Sequence, residues 1–139
     1  MSGVLLDTNV LSELVTPSPN PAVRQFVASQ PDAWISIITL HELDYGIKRL
    51  PSGQRQQSLQ RSIYALLEHY EDRVLAISLD EASHAARLRA ACAANGQTLH
   101  LADALIAGTA AAHQLALATR NVRDFSGCGI TIINPWDAA

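Results

Sequence analysis

The sequence predicts an α/β protein of three layers, with helices on both faces of a central, mostly parallel sheet of four to five strands. Three observations support this fold class. The chain has 139 residues, the usual length of one domain, and we expect a single domain over residues 1–139. Hydrophobic residues make up 48% of the chain, which is enough for a large core. Short apolar runs alternate with longer segments of helical pattern, and strands separated by helices pair in parallel.

The first half of the chain is expected to contain two strands and four helices. Val4–Leu6 is a short apolar run typical of a buried strand, and Trp34–Ile38 is rich in β-branched and aromatic residues. A proline-rich segment follows the first helix and interrupts the helical pattern. It predicts that Asn20 caps the next helix and that Pro21 is the first residue of that helix. The expected helices pass through Val10, Leu11 and Leu14, from Pro21 to Ser29, from Leu40 to Leu50, and from beyond Gly53 to about Tyr70.

The second half is expected to contain three strands and two helices. Ser78 and Glu81 have the spacing of a capping box that begins an alanine-rich helix, and Asn95–Gly96 closes it. A second helix runs from about His100 to His113, and the strands are Val74–Ile77, Leu115–Thr119 and Ile130–Ile133. In parallel sheets, ligands bind beyond the carboxyl ends of the strands, near a switch in strand order, so functional side chains are expected there.

Composition excludes several classes of protein. Ten Lys and Arg residues against thirteen Asp and Glu give a formal net charge of −3, which disfavours a protein that coats nucleic acid. Cys92 and Cys128 are too few for a disulfide framework and lack zinc spacing. The sequence contains no apolar run long enough for a membrane span, and residues 1–4 lack the pattern of a signal peptide. We therefore expect a cytoplasmic protein without membrane contact.

Three acidic residues map to the expected carboxyl ends of strands. Asp7 directly follows the first strand, Glu42 lies four residues after the second, and Asp103 stands among small and apolar residues early in a helix. Each has a structural explanation as well. Asp7 could form a turn or cap a helix. Glu42 could complete a capping box with Thr39, and Asp103 could interact with a helix N-terminus.

A loop with Asn and Asp, residues 119–125, follows the fourth strand and is by itself typical of a turn. Together with the three acids it would lie at one edge of the sheet. Clustered carboxylates repel one another and cannot all stay ionised without a partner. Mg²⁺ and Mn²⁺ prefer oxygen ligands, and such cations promote phosphodiester hydrolysis. The pattern thus favours a divalent-cation site.

Four segments give the sequence a resemblance to PIN-domain ribonucleases, specifically to toxins of the VapC/FitB type. They are Leu5–Val10, Ile37–Leu43 followed by Tyr45–Gly46, Leu101–Ala107, and Ala118–Phe125. Each segment alone has low specificity, but their order and spacing together are specific. The resemblance extends from about residue 4 to residue 134.

The resemblance implies endonucleolytic cleavage of RNA that depends on Mg²⁺ or Mn²⁺. It implies that Asp7, Glu42 and Asp103 are the catalytic residues and also the metal ligands. Metal held by Asp7 and Asp103 would activate a water, with Glu42 as a further ligand or as a base acting through water. The fourth metal position would be filled by Asn121, which matches it best, or by Asp124.

The resemblance also implies partners and supporting residues. The hydroxyls of Thr8 and Thr119 would orient the carboxylates, and Arg120 and Arg123 would contact RNA phosphate if they are not merely solvated charges. The substrate would be structured RNA, often tRNA. A small cognate antitoxin would cover the cleft and carry the DNA-binding half, so operator DNA would be bound only through it. A homodimer is expected, with a larger toxin–antitoxin complex as an option.

Two other enzyme classes each lack a required residue in this sequence. A phosphotransferase of the haloacid dehalogenase type needs a second Asp two residues after Asp7, where Asn9 stands. A zinc protease helix needs a second His four residues after His41, where Tyr45 stands. A non-catalytic or RNA-processing module with the same fold, outside a toxin–antitoxin pair, remains the serious alternative.

Overall fold

Five short strands form one fully parallel sheet in the computed structural model, which describes residues 3–137. The strands are β1 (Val4–Leu6), β2 (Ala33–Ser36), β3 (Val74–Leu75), β4 (Ala116–Ala118) and β5 (Ile132–Ile133). Their order across the sheet is β3-β2-β1-β4-β5. The chain steps outward from β1 to β3 and then returns to the other side of β1. The switch in strand order, where ligands bind in such sheets, therefore lies between β1 and β4.

Six α-helices and one short 3₁₀ helix connect the strands within residues 3–137. They are α1 (Thr8–Leu14), α2 (Pro21–Ala28), α3 (Ile37–Lys48), α4 (Gln54–Glu68), α5 (Leu79–Ala94), α6 (Leu101–Ala112) and the 3₁₀ helix (Val122–Phe125). Two predicted helix starts are confirmed: Asn20 caps α2 by accepting the amide of Ala22 at 2.8 Å, and Ser78 and Glu81 form the capping box of α5. No helix in the described range is long and apolar enough to cross a membrane.

The sheet separates two hydrophobic clusters. Val4 and Leu6 of β1 pack into one cluster, and Leu5 between them packs into the other. Successive side chains of a strand point to opposite faces, so this alternation shows that both faces are covered. That explains why the strand reads as a continuous apolar run. The fold is thus the predicted α/β class with helices on both faces.

The boundary between β2 and α3 differs from the sequence prediction. The sequence predicts a strand up to Ile38, but α3 already begins at Ile37, because the Ser36 hydroxyl accepts the amide of Ile38 at 3.0 Å and caps the helix. Thr39 is therefore a fully buried residue inside α3. The predicted capping box between Thr39 and Glu42 is wrong, and Glu42 lies beyond the first turn.

The outer strands are shorter than predicted. Strand β3 contains only Val74–Leu75, whereas the prediction extended to Ile77. Strand β5 contains only Ile132–Ile133, whereas the prediction began at Ile130. Each is an edge strand with a partner on one side only, and short edge strands are common in native sheets. Residues 1, 2, 138 and 139 lie outside the described residues, and so does half of the segment 1–4 for which no signal peptide is predicted.

Candidate active site

Asp7 lies at the carboxyl end of β1 and is buried, with 4% of its surface exposed. It caps α1, since its Oδ1 accepts the amide of Thr8 at 2.8 Å. Its Oδ2 accepts the Thr119 hydroxyl at 2.8 Å, across from β1 to the end of β4. Burial raises the pKa of Asp7 above its ordinary value, although the bonds from Thr119 and Thr8 oppose that shift. One carboxylate thus serves both as a helix cap and as a group at the switch point.

The Thr119 hydroxyl is the centre of a small polar network. It is fully buried, donates to Asp7, and accepts from the side-chain amide of Asn9 at 3.2 Å and the backbone amide of Asn121 at 3.0 Å. The side-chain oxygen of Asn9 in turn accepts the backbone amide of Arg120 at 3.2 Å. These bonds tie the loop after β4 to the first turn of α1. Asn9 was not among the predicted site residues, although its position two residues after Asp7 could have indicated that it lies in the site.

Glu42 reaches the same place from α3. Its Oε1 accepts the Thr8 hydroxyl at 2.6 Å, and Thr8 is also 3.2 Å from the hydroxyl of buried Thr39. Thr8 therefore orients Glu42, whereas Thr119 orients Asp7. Each threonine hydroxyl thus contacts one of the carboxylates that the resemblance assigns to the metal site.

Asp103 lies half-buried in the first turn of α6. Its pKa is raised to about 6, first by burial and then by the charges of Asp7, Asp124 and Glu42. The charges of the other three acids therefore reach Asp103 and add to the effect of its burial.

These side chains open into one cleft of about 400 Å³ at the carboxyl ends of the strands. The cleft is lined by Asp7, Thr8, Asn9, Ser12, Glu13, Thr16, Glu42, Asp103, Arg120, Asn121 and Trp136. Two predicted site residues, Arg123 and Asp124, are exposed on the 3₁₀ helix and do not line it, although the charge of Asp124 reaches Asp7. Glu13 and Trp136 line the cleft and were not predicted, because neither belongs to a motif at a strand end.

The donor set determines which cation could bind. The three predicted acids in the cleft, Asp7, Glu42 and Asp103, offer only oxygen, and within residues 3–137 they form no salt bridge. In the same range no three His, Cys, Asp or Glu side chains stand close enough together to hold a metal ion. Mg²⁺ and Mn²⁺ prefer oxygen ligands and can keep several waters when they bind a protein. These carboxylates could therefore bind such an ion without enclosing it.

Residues 4–127 match the PIN domain. The chain is 37% identical to the VapC ribonuclease Y4jK of Sinorhizobium fredii, over 98% of this chain and 99% of the relative. It superimposes on a chain of the FitAcB structure from Neisseria gonorrhoeae with a TM-score of 0.89 and 33% identity, covering 96% and 99% of the two chains. A toxin–antitoxin complex from Klebsiella pneumoniae gives a TM-score of 0.75 at 30% identity, covering 96% and 98%.

Proposed function

The chain belongs to the PIN domain family, and on that premise we propose that it is a metal-dependent endoribonuclease, the toxin of a type II toxin–antitoxin pair. The observation that carries the proposal is the meeting of Asp7, Glu42 and Asp103 in one cleft at the switch point of the sheet. These acids come from three separate elements. The charge of Glu42 contributes to the raised pKa of Asp7, and the charges of Asp7 and Glu42 contribute to the raised pKa of Asp103. The similarity to a VapC ribonuclease supports RNA as the substrate.

Asp7 and Asp103 would hold a Mg²⁺ or Mn²⁺ ion that keeps several waters, Glu42 would be a further ligand directly or through one of those waters, and Asn121 or Asp124 would fill the fourth position. When bound, such an ion lowers the pKa of a water and offsets charge on the scissile phosphate. Asn121 already lines the cleft, whereas Asp124 would have to turn inward from the 3₁₀ helix. We therefore favour Asn121 at this position.

The chain's own residues prepare the site for hydrolysis. Thr119 and Thr8 fix the carboxylates of Asp7 and Glu42 through short hydrogen bonds, so little reorganisation is needed when substrate binds. Glu42 would be a ligand or a base acting through a water. Arg120 is placed to contact RNA, and Arg123 lies farther out on the exposed 3₁₀ helix. The products would be shorter RNA chains released by phosphodiester hydrolysis.

We further propose that the substrate is structured RNA, such as tRNA, and that a cognate antitoxin inhibits the enzyme. A groove of about 600 Å³ between α1, α3 and α4 adjoins the cleft and shares Thr8 and Glu42 with it. An extended antitoxin segment in this groove would reach the carboxylates. The similarity to a chain of a toxin–antitoxin complex supports this arrangement. Operator DNA would be bound only through the antitoxin, and the toxin would be a cytoplasmic homodimer, alone or within a larger complex.

The proposal is tested by incubating the purified protein with total RNA and Mg²⁺ or Mn²⁺. We expect cleavage that EDTA abolishes and that Asp7→Asn loses. The exposed Asp72→Asn serves as the matched control and should retain activity. Cleavage that is absent, or equal in the Asp7 variant, would overturn the enzymatic claim. Cleavage that the product of a small adjacent upstream reading frame does not inhibit would indicate an RNA-processing module instead of a toxin.

A further inference from the structure

Trp136 is a fixed aromatic side chain in the wall of the cleft. The side-chain oxygen of Asn134 accepts the amide of Trp136 at 3.0 Å, and the intervening Pro135 is buried. The indole is half-buried and packs against the hydrophobic cluster that contains Leu6 and Val10. The ring is thus held in place by the core on one side while it borders the carboxylates on the other.

Arg120 stands over this ring, with its Cζ 5.0 Å from the ring centroid. Its backbone amide is anchored to Asn9, which fixes the start of the side chain. Among the residues that line the cleft in the described range, it is the single Lys or Arg. Within residues 3–137 its guanidinium forms no ion pair and donates no hydrogen bond, although several carboxylates line the same cleft. The cation therefore stacks on the indole with its N–H donors available.

A second Trp–Arg pair in the same protein provides a contrast. Arg73 stands over Trp34 with its Cζ 5.5 Å from the ring centroid. There the polar groups are already used, since Asp32 accepts the indole N–H at 2.7 Å and an Arg73 N–H at 3.3 Å. No such carboxylate bridges Trp136 and Arg120 within the part of the chain that the structure describes. The pair of Arg73 and Trp34 is internally satisfied, whereas the pair at the cleft has donors left for a ligand.

We propose that Trp136 and Arg120 form a stacking platform that holds one unpaired base of single-stranded RNA beside the carboxylates. This inference rests on the proposed ribonuclease function and adds a determinant of specificity. Unstacked RNA bases stack on aromatic rings and on arginine planes, and guanidinium donors also bind phosphate or base edges. A platform beside the acids places the neighbouring phosphate in the cleft only if the stacked nucleotide is unpaired. Cleavage would then be confined to loops and single-stranded ends, and duplex would be spared.

Intrinsic fluorescence tests the platform directly, because the protein has two tryptophans and Trp34 can be replaced by Phe. The experiment uses the Trp34→Phe protein with Asp103→Asn to prevent turnover, so that Trp136 alone reports binding. We expect a short oligoadenylate to quench this emission. An oligomer of equal length, in which abasic tetrahydrofuran spacers replace the nucleosides, carries the phosphates without bases and should leave the emission unchanged. Equal effects of the two oligomers would overturn the proposal.

Substitutions separate stacking from charge and from folding. In the Asp103→Asn background, Trp136→Leu keeps an apolar side chain and should weaken oligoadenylate binding about tenfold, whereas Trp136→Phe should restore most of it. Arg120→Lys keeps the charge, so it should weaken binding without changing the salt dependence. Arg73→Lys is the matched control and should change nothing.

The outcomes distinguish the platform from the function on which it rests. In one outcome, wild-type protein cleaves RNA and oligoadenylate binds equally well to the Trp136→Leu and Trp136→Phe variants. The platform is then wrong, and the ribonuclease function stands. If no variant binds RNA and wild-type protein cleaves none, both proposals fail together. If Trp136→Leu does not fold, the comparison of the two oligomers by the fluorescence of the Trp34→Phe, Asp103→Asn protein still decides the question.

Discussion

Thr119 is the residue through which Asp7 is held in the site. Its hydroxyl donates to the buried carboxylate, and Thr119→Val would remove that bond while keeping the shape. We expect a loss of about 1–3 kcal/mol in the free energy of unfolding, because the buried Asp7 carboxylate loses its shorter bond to Oδ2 and the amides of Asn9 and Asn121 lose the hydroxyl that accepts from them. We also expect a lower kcat for RNA cleavage, since the Asp7 carboxylate would lose its orientation.

Thr109→Val is the matched control for this substitution. Thr109 is equally buried, but its hydroxyl bonds the Leu105 carbonyl within α6 at 2.7 Å, away from the cleft acids. It should cost some stability and leave kcat unchanged. If both variants lower kcat equally, Thr119 has no positioning role beyond its contribution to folding.

Asp103 makes stability depend on pH. Its folded-state pKa of about 6 lies above the ordinary 3.8, so the folded protein binds the proton more tightly than the unfolded chain. Stability therefore falls as pH rises from about 4 to about 6 and stays reduced above that range. Asp103→Asn removes the charge and should stabilise the metal-free protein at neutral pH by about 1 kcal/mol, a value discounted for solvent screening of a half-buried group.

Urea unfolding in EDTA at several pH values measures this effect. The stabilising effect of Asp103→Asn should shrink as pH falls toward 4 and vanish below it. In wild-type protein, added Mg²⁺ or Mn²⁺ should raise Tm, and Asp103→Asn should lose that response because the cation has fewer charged ligands. An Asp103 variant that gains nothing at neutral pH would show that the carboxylates do not repel one another.

At the scale of the elements, α5 and α6 pack closely through a glycine. A Cβ placed on Gly108 would stand 2.6 Å from the backbone nitrogen of Ala85, whereas a Cβ on Gly46 of α3 would meet nothing within 4 Å. Gly108→Ala should therefore destabilise the fold by about 1–3 kcal/mol through overpacking. Gly46→Ala should be neutral or stabilise it by about 0.5–1 kcal/mol, because alanine favours a helix. Thermal unfolding of both variants checks the contrast, and similar Tm changes would contradict it.

The first turn of α5 is fixed by Glu81, which is buried. Its carboxylate accepts the Ser78 amide at 2.8 Å, and its other oxygen lies 2.8 Å from Nε2 of His113 at the end of α6. Hydrogen bonds from Ser78 are the main reason why the pKa of Glu81 is lowered from 4.5 to about 2. Because the folded-state pKa is depressed, this stabilisation is complete above about pH 4.5 and is lost as pH falls toward 2.

Glu81→Gln should thus lower the free energy of unfolding by about 1–2 kcal/mol at neutral pH. The difference from wild type should narrow between pH 4.5 and pH 2, as denaturant unfolding would show. Glu68→Gln, at an exposed position on α4, is the control and should have little effect at any pH. A deficit for Glu81→Gln that stays constant down to pH 2 would mean that its carboxylate does not titrate as described.

At the scale of the whole molecule, the elements with strong local signals were predictable. The apolar run before Asp7 and the capping box at Ser78 depend on neighbouring residues alone. The start of α3 was not predictable in the same way. Ile37 and Ile38 favour a strand by propensity, but the Ser36 cap and the burial of α3 in the core override that preference.

The candidate site was predictable only where its residues follow from local sequence signals. The convergence of Asp7, Glu42 and Asp103 follows from strand ends that share one edge of a sheet. The bond between Asn9 and Thr119 joins residues 110 positions apart, and the approach of Trp136 to the cleft likewise depends on tertiary structure. No local pattern in the sequence encodes such contacts.

The acidic net charge also has a local explanation. Asp7, Glu42, Asp103 and Glu13 all line the cleft, so part of the excess negative charge is concentrated where a cation would offset it. An enzyme of this kind would contact RNA at one site and would not coat it. The few cationic groups at the cleft, Arg120 above all, would then matter more than the net charge.

The central claim is that this carboxylate cleft hydrolyses RNA with an activated water. The most direct measurement is the chemistry of the product ends after cleavage with Mg²⁺ or Mn²⁺. We expect phosphate and hydroxyl ends with no 2′,3′-cyclic phosphate, and equal cleavage when the nucleotide at the scissile bond lacks its 2′-hydroxyl, because water is the nucleophile. Cyclic phosphate ends that persist in EDTA and in Asp103→Asn would contradict the account.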